Sequence, residues 1–397
     1  MRWLLPCLLV FLVACGVRSP LDPFPEGPDS GVRRTDGGGG GRDAGPTRRD
    51  GGPAGACTLG ETVEHGLARG PLSLPAAETV DDSVLVVFTE DTPGGSGLHS
   101  VLLGPEGDLR TMPRPLGPGR GGTLAYLPEF DMVAIFAHER GELINGTLSP
   151  DGDLIDGFER TGVVTDTVRP ALAIDDRTFG LGWSDGPSSV GLFGIIDGME
   201  PEPLFLPGRD PWAVTSRRDP RFVRMSTFEG PIVFTHMVDA TAPFDAGMGE
   251  IPLPGEVVAA RVVDGPGDEG LAAMGFFERG AAGPSTFLTV FGEGRFSDRE
   301  IPDELPIDLA AAWDPASEWT AIAASTQHLD AAGPSPRLRV LVFRGSESQD
   351  LQVPAFGDLG APARPAIVAT ARPGSFLLIW DSTARPGALL VTPVRCR

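Results

Sequence analysis

Five histidines, His65, His99, His138, His236 and His328, are the side chains of this sequence whose ordinary pKa suits proton transfer near neutral pH. None stands in H-E-x-x-H or another metal-ligand spacing, so no metal is expected. His138 and His236 share a context. Each lies two residues beyond an aromatic, Phe136 or Phe234, that ends an alternating apolar run. Acids follow comparable aromatics elsewhere: Glu90 and Asp91 after Phe88, Asp185 after Trp183, Asp381 after Trp380. If those strand ends converge, His138, Asp185, His236 and Asp381, with Asp91, form a ligand or acid–base site. The other reading is separate strand-end polar groups in solvent.

Other chemical patterns carry little. Gly117 to Gly122 and Gly265 to Gly270 match G-x-G-x-x-G, but both contain proline and neither opens a helix that could receive a phosphate. Asp151-Gly152-Asp153-Leu154-Ile155-Asp156-Gly157 has its third aspartate one residue late for a calcium loop, and a hairpin turn is expected there. No G-x-S-x-G is present and no cysteine is left over as a nucleophile. Asn145-Gly146-Thr147 fits a glycosylation sequon. No cofactor is expected. With 54 acidic residues, sequence alone does not select a carboxylate pair for glycan cleavage.

The elements that would position these residues are strands. Phe179, Leu181 and Trp183 alternate with Gly180 and Gly182, so large groups share one face and bare backbone the other. Pro170 to Ile174 precedes them as a first strand, with a turn at Asp175-Asp176-Arg177. The arrangement returns at Arg364 to Val368 and Phe376, Leu378, Trp380. Weaker copies end in Phe88, Phe136, Phe234 and Phe277, at intervals of 43 to 51 residues, and Glu318 to Ala324 supplies the skipped unit. Leu143 to Leu148, Val190 to Ile196, Phe287 to Phe291, Leu338 to Phe343 and Ala388 to Val394 read as further strands. With 54 glycines and 40 prolines in 397 residues there is little room for long helices. Asp308 to Ala324 is alanine-rich enough for a helix, which Pro315 would interrupt.

A period in the forties with several short strands per unit predicts an all-β fold, a β-propeller of seven units over residues 76–396. No WD-type unit recurs. Tandem β-sandwich domains are the rival fold. A ring brings its ends together, and Cys57 and Cys396 bracket the repeats, so a disulfide between them is expected in an exported chain.

Export is read from the first residues. Arg2 precedes an apolar run, Trp3 to Ala14, too short for a membrane span. Leu12-Val13-Ala14-Cys15 resembles the bacterial lipobox, with Val13 where a smaller residue is commoner. The resemblance implies cleavage after residue 14, acylation (palmitate among the chains) at Cys15 and, with Gly16 following, an outer-membrane address. Residues 15–56 are Gly, Pro, Asp and Arg with few aliphatics, expected to be a flexible tether with a reach of roughly 35 Å. Residues 57–397 form the folded domain.

The net charge of −22 excludes a basic nucleic-acid footprint. All basic residues are arginine, and no lysine occurs. The resulting expectation is a lipid-anchored envelope propeller that binds a protein, glycan or other ligand. The alternatives are a glycan-acting hydrolase or lyase with a central-channel site, and a purely structural envelope protein.

Overall fold

The computed structural model describes residues 57–174, 178–195, 203–215, 221–242, 247–265, 271–280, 283–292, 295–302, 304–330, 333–345, 347–354 and 364–397. The expected signal, Cys15 and the expected tether lie outside them, as do Asp175-Asp176-Arg177, where a turn was expected, and all but the first residue of Gly265 to Gly270.

The alternating runs form antiparallel sheets in which each strand pairs with the next in sequence. Six are four-stranded blades, each from one continuous stretch: blade I over 72–118, II over 120–164, III over 171–206, IV over 209–252, V over 256–302 and VI over 304–352. Seven equivalent units were expected, and this is corrected. The remaining sheet is a five-stranded composite, not a seventh copy. Ala366–Ala369, Ser375–Asp381 and Ala388–Cys396 come from the C-terminal end. Cys57–Leu59 and Val63–Gly66 come from the other end and lie along the outside of Ala388–Cys396. The chain closes its ring by lending its first strands to its last sheet, and Cys57 is bonded to its register partner Cys396, as expected. Gln349 of blade VI holds the same strand, donating to Cys57 O (2.9 Å) and accepting from Cys57 N (3.0 Å).

The first strand of each blade and Ala366–Ala369 of the closing sheet are innermost, and each packs beside the next around the ring until the last meets the first. Among the described residues, seven apolar clusters fill the seven seams between adjacent sheets. This follows from period two: a strand apolar on both faces needs a neighbour on each side. Two stacked sheets per domain, the sandwich reading, would give a different set of neighbours. Four of the recurring aromatics occupy these seams: Phe88, Phe136, Trp183 and Trp380 are all buried there. Gly180 and Gly182 let the next blade approach. A Cβ at Gly180 would lie 2.7 Å from Val223 Cγ1, and one at Gly182 would lie 2.7 Å from Met225 Cε.

Two local expectations change. The alanine-rich stretch is two strands, Glu304–Asp314 and Trp319–Asp330, because its alanines are seam residues between large neighbours. Phe234 and His236 lie on the third strand of blade IV, Ile232–Asp239. The second strand is Phe222–Glu229, which also alternates and also ends in an aromatic and an acid. Alternation does not distinguish neighbouring strands of a hairpin, so His138 and His236 are not equivalent.

Candidate functional site

The seven innermost strands line a central cavity of about 530 Å³. Its wall is mostly small: alanines from blades I, II, III, IV and VI and from the closing sheet, with Trp212 and Trp313 as the large groups. One mouth of this channel lies at the end where the innermost strands begin and the second strands finish.

Bulges place the side chains at that mouth. The innermost strands of blades I, II, IV, V and VI each shift register against the second strand. A bulge re-aims the side chains beside it. In blade IV the shift between Arg209 and Trp212 contains Asp210 at φ 53°, a left-handed conformation that aspartate tolerates better than most residues. In blade VI the shift between Pro306 and Asp308 turns the Asp308 carboxylate toward two guanidinium groups.

The resulting network crosses the ring. Arg169, just before the innermost strand of blade III, donates through Nη1 to Asp308 Oδ2 of blade VI (3.1 Å). Its Nη2 reaches Pro75 O of blade I and Arg364 O of the closing sheet, each at 3.4 Å. One side chain thus touches sheets on the far side of the channel. Arg261 of blade V donates to Asp308 Oδ1 (3.0 Å), Asp210 Oδ2 (2.8 Å) and Leu309 O (3.0 Å), and its guanidinium lies 4.9 Å from the centre of the Trp212 ring. Burial acts against the charge of both arginines, in opposite overall outcomes. Arg169 is pushed down, because burial and the like charges of Arg261 and Arg364 outweigh Asp308. Arg261 is held up, because Asp210 and Asp308 together outweigh its burial.

The residues singled out from the sequence are placed less centrally. None of His138, Asp185, His236 and Asp381 lines the channel; each stands on a second or third strand. Asp381 comes nearest the network: Arg364 N donates to its Oδ1 (3.4 Å), and burial raises its carboxyl despite that bond and the nearby Arg169 and Arg364. His138 Nε2 is 3.0 Å from Thr165 O. Asp185 is exposed opposite Ser188 at a hairpin end. Asp91 accepts from Ser73 and Ser96 within blade I. His236 is buried, stacks on Phe234 and lies 3.2 Å from the Thr227 hydroxyl; burial pushes its pKa down to about 4. The structure therefore brings Asp381 toward the mouth and leaves the others in their own blades.

Sequence reasoning missed Arg169, Arg261, Asp210, Asp308 and Trp212. One signal was present. An arginine stands at or just before the innermost strand of five sheets: Arg69, Arg120, Arg169, Arg209 and Arg364. The Arg-Pro-Ala triplets at Arg169 and Arg364 mark the two clearest repeats. Two further motifs have structural roles. Asp151 to Gly157 is a turn whose Gly152 carbonyl accepts from Ser100 (2.6 Å) and whose Asp153 pairs with Arg114. The sequon residue Asn145 is fully buried on the third strand of blade II.

No family model matches the chain, and no curated protein matches it. Among solved structures, the chain is similar to a prolyl endopeptidase at 16% identity, covering 81% of this chain and 46% of that one, with a TM-score of 0.46. This chain thus spans less than half of that enzyme's length. It is similar at 12% identity to the β-propeller domain of the Trilobed protease from Pyrococcus furiosus, covering 81% of this chain and 95% of that domain (TM-score 0.47). It is similar at 13% to a fucose-specific lectin from Aleuria aurantia, covering 74% and 98% (TM-score 0.43). These likenesses extend to the propeller fold and no further.

Proposed function

We propose that the protein is a lipid-anchored propeller of the cell envelope whose central channel binds a ligand. The observation that carries the binding reading is the commitment of the mouth carboxylates. Asp308 is shared by Arg169 and Arg261, and Asp210 is paired with Arg261. Carboxylates held this way are taken up as acceptors of guanidinium hydrogen bonds and are not left free to face a substrate. What the cluster offers is a fixed set of hydrogen-bonding groups around a concave, small-walled space, the usual form of a ligand site. The anchor reading is supported by the lipobox sequence ending at Cys15.

Glycan hydrolysis or elimination is the second reading, and Asp381 favours it. A carboxyl raised by burial and set beside Arg364 is the kind of group that serves as a general acid.

The test uses the full chain in its membrane. Wild type and Cys15→Ser are fractionated after expression with labelled palmitate; label and membrane retention are expected in wild type alone. Purified full-length wild type and Val214→Trp, which fills the channel from blade IV, are then titrated with an envelope glycan fraction. Saturable binding that Val214→Trp abolishes supports the channel reading, and binding unchanged by it removes that reading. Turnover of the glycan lost in Asp381→Asn would move the assignment to the enzyme.

A further inference from the structure

The central cavity differs at its two ends. Of the charged groups in the network, Asp210, Arg261, Asp308 and Arg169, only Arg169 borders it. Arg120, Arg209 and Arg364, at the same end, do not border it either. Arg169 reaches from the blade III side of the ring and is held by Asp308, Pro75 O and Arg364 O, which belong to three other sheets. The cavity stops at this bridge.

At the other end the lining continues to the strand ends and past them. It includes Ile174 and Thr215, the last residues of the innermost strands of blades III and IV. It runs on to Asp264 in blade V, Ala316 in blade VI and Ala371 in the closing sheet, each beyond the end of its strand. There the bonds run between neighbouring sheets. Thr79 of blade I donates to Ala369 O of the closing sheet, Asp314 of blade VI accepts from Gly374 N of the closing sheet (2.6 Å), and Asp264 of blade V accepts from Arg224 of blade IV (2.7 Å). These bonds tie the rim together and leave its middle free among the described residues.

A ring barred at one end holds a pocket and not a passage. Its volume, about 530 Å³, is that of a site for one small molecule. The half-buried rings of Trp212 and Trp313 stand in a wall rich in alanine and threonine, a surface that suits the apolar face and the hydroxyls of a sugar. A long chain can thread a tube at any point along its length, but it enters a blind pocket only by an end. We propose that the channel is a blind pocket, floored by the Arg169 bridge and entered from the opposite face, and that it takes the terminal sugars of a glycan chain. This rests on the channel reading and adds the route of entry and the part of the chain that enters.

Entry is tested without a ligand. Val214→Cys puts a thiol in the wall, and its rate of reaction with N-ethylmaleimide is measured on full-length protein, with wild type as the background for the other cysteines. Ala316→Trp and Ala371→Trp, made together at two exposed positions, crowd the far mouth. They should slow the reaction about tenfold or more, because thiol reactivity follows access. Arg120→Trp, exposed at the arginine end and outside the lining, should change the rate by less than about twofold. Arg169→Ala, added to the crowded variant, should restore the rate through a second opening. Thermal melts show that each variant folds, and the comparison of the two mouths stands without Arg169→Ala. The envelope glycan fraction is then titrated whole and after partial hydrolysis to shorter chains. At equal mass the fragments carry more ends, and binding per unit mass should rise in proportion to them. The inference is overturned if crowding the far mouth leaves the rate unchanged, if Arg120→Trp slows it instead, or if the fragments bind no better per unit mass than whole chains. Each of these outcomes, with Val214→Trp still blocking the glycan, leaves the channel site standing. A fraction that binds neither whole nor cut removes the channel reading and this inference with it.

Discussion

Reduction of the Cys57–Cys396 bond isolates what the covalent closure contributes. The cysteines are separated by 339 residues in sequence, so the oxidised unfolded chain is one large loop. The chain-entropy relation for a loop of that length gives a stabilisation of about 6 kcal/mol, a ceiling because denatured chains keep residual structure. An unfolding entropy of ~2.1 cal/mol/K per residue, summed over ~340 residues, converts this to a fall in Tm of about 8 °C. The folded ring should stay shut meanwhile. Val63–Gly66 keeps its pairing with the strand Ala388–Cys396, and Gln349 keeps both bonds to the Cys57 backbone. The assay is a pair of thermal melts on one wild-type preparation, oxidised and reduced. This avoids the cavity or buried hydroxyl that a substitution would add at two buried positions. Near-UV dichroism below the transition is expected to be the same in both. A Tm that falls by less than about 2 °C would refute the entropic argument. A changed native spectrum, or new proteolysis at 60–62 well below the melt, would show that the bond holds the folded ring itself together.

Three further outcomes test the packing. Gly180→Ala should cost roughly 1–3 kcal/mol in urea unfolding, because its methyl meets the stiff, branched Val223 and the Phe193 ring; Gly182→Ala should cost less, because Met225 Cε can move. His236 is buried neutral with a pKa of about 4, against 6.5 unfolded. Between those values the unfolded chain binds a proton that the folded one does not. Stability should therefore fall as pH drops from about 6.5 to 4, by at most ~3 kcal/mol, and His236→Leu should flatten that part of the urea-midpoint profile. Gln349→Ala removes both side-chain bonds to Cys57 and should lower stability by roughly 1–3 kcal/mol, with a larger fall in Tm once the disulfide is reduced.

The blades were legible because period two is a local property. Phe179, Leu181 and Trp183 show one face to blade II, and Gly180 and Gly182 show the other to blade IV, and both facts are present in five consecutive residues. The partnership of Cys57 and Cys396 was legible because a ring has only one place where the two ends of its repeat array meet. The mouth was not. Asp210 and Asp308 are aimed by bulges, and a register shift depends on the partner strand. Arg169 meets Asp308 across 139 residues of chain, through a ring whose diameter no local pattern encodes. His236 shows the complementary failure. Its spacing from Phe234 matched the other units, yet it belongs to a third strand, since the strands on either side of Gly230-Pro231 alternate alike.

The closing sheet also gives the molecule a direction. Ala388–Cys396 starts at the mouth end and finishes at the opposite end, where Cys396 meets Cys57. Cys57 and Cys396 therefore sit on the side away from Arg169 and Trp212. A label fixed at Arg397 would stand on that far face and leave the arginine-bearing opening clear.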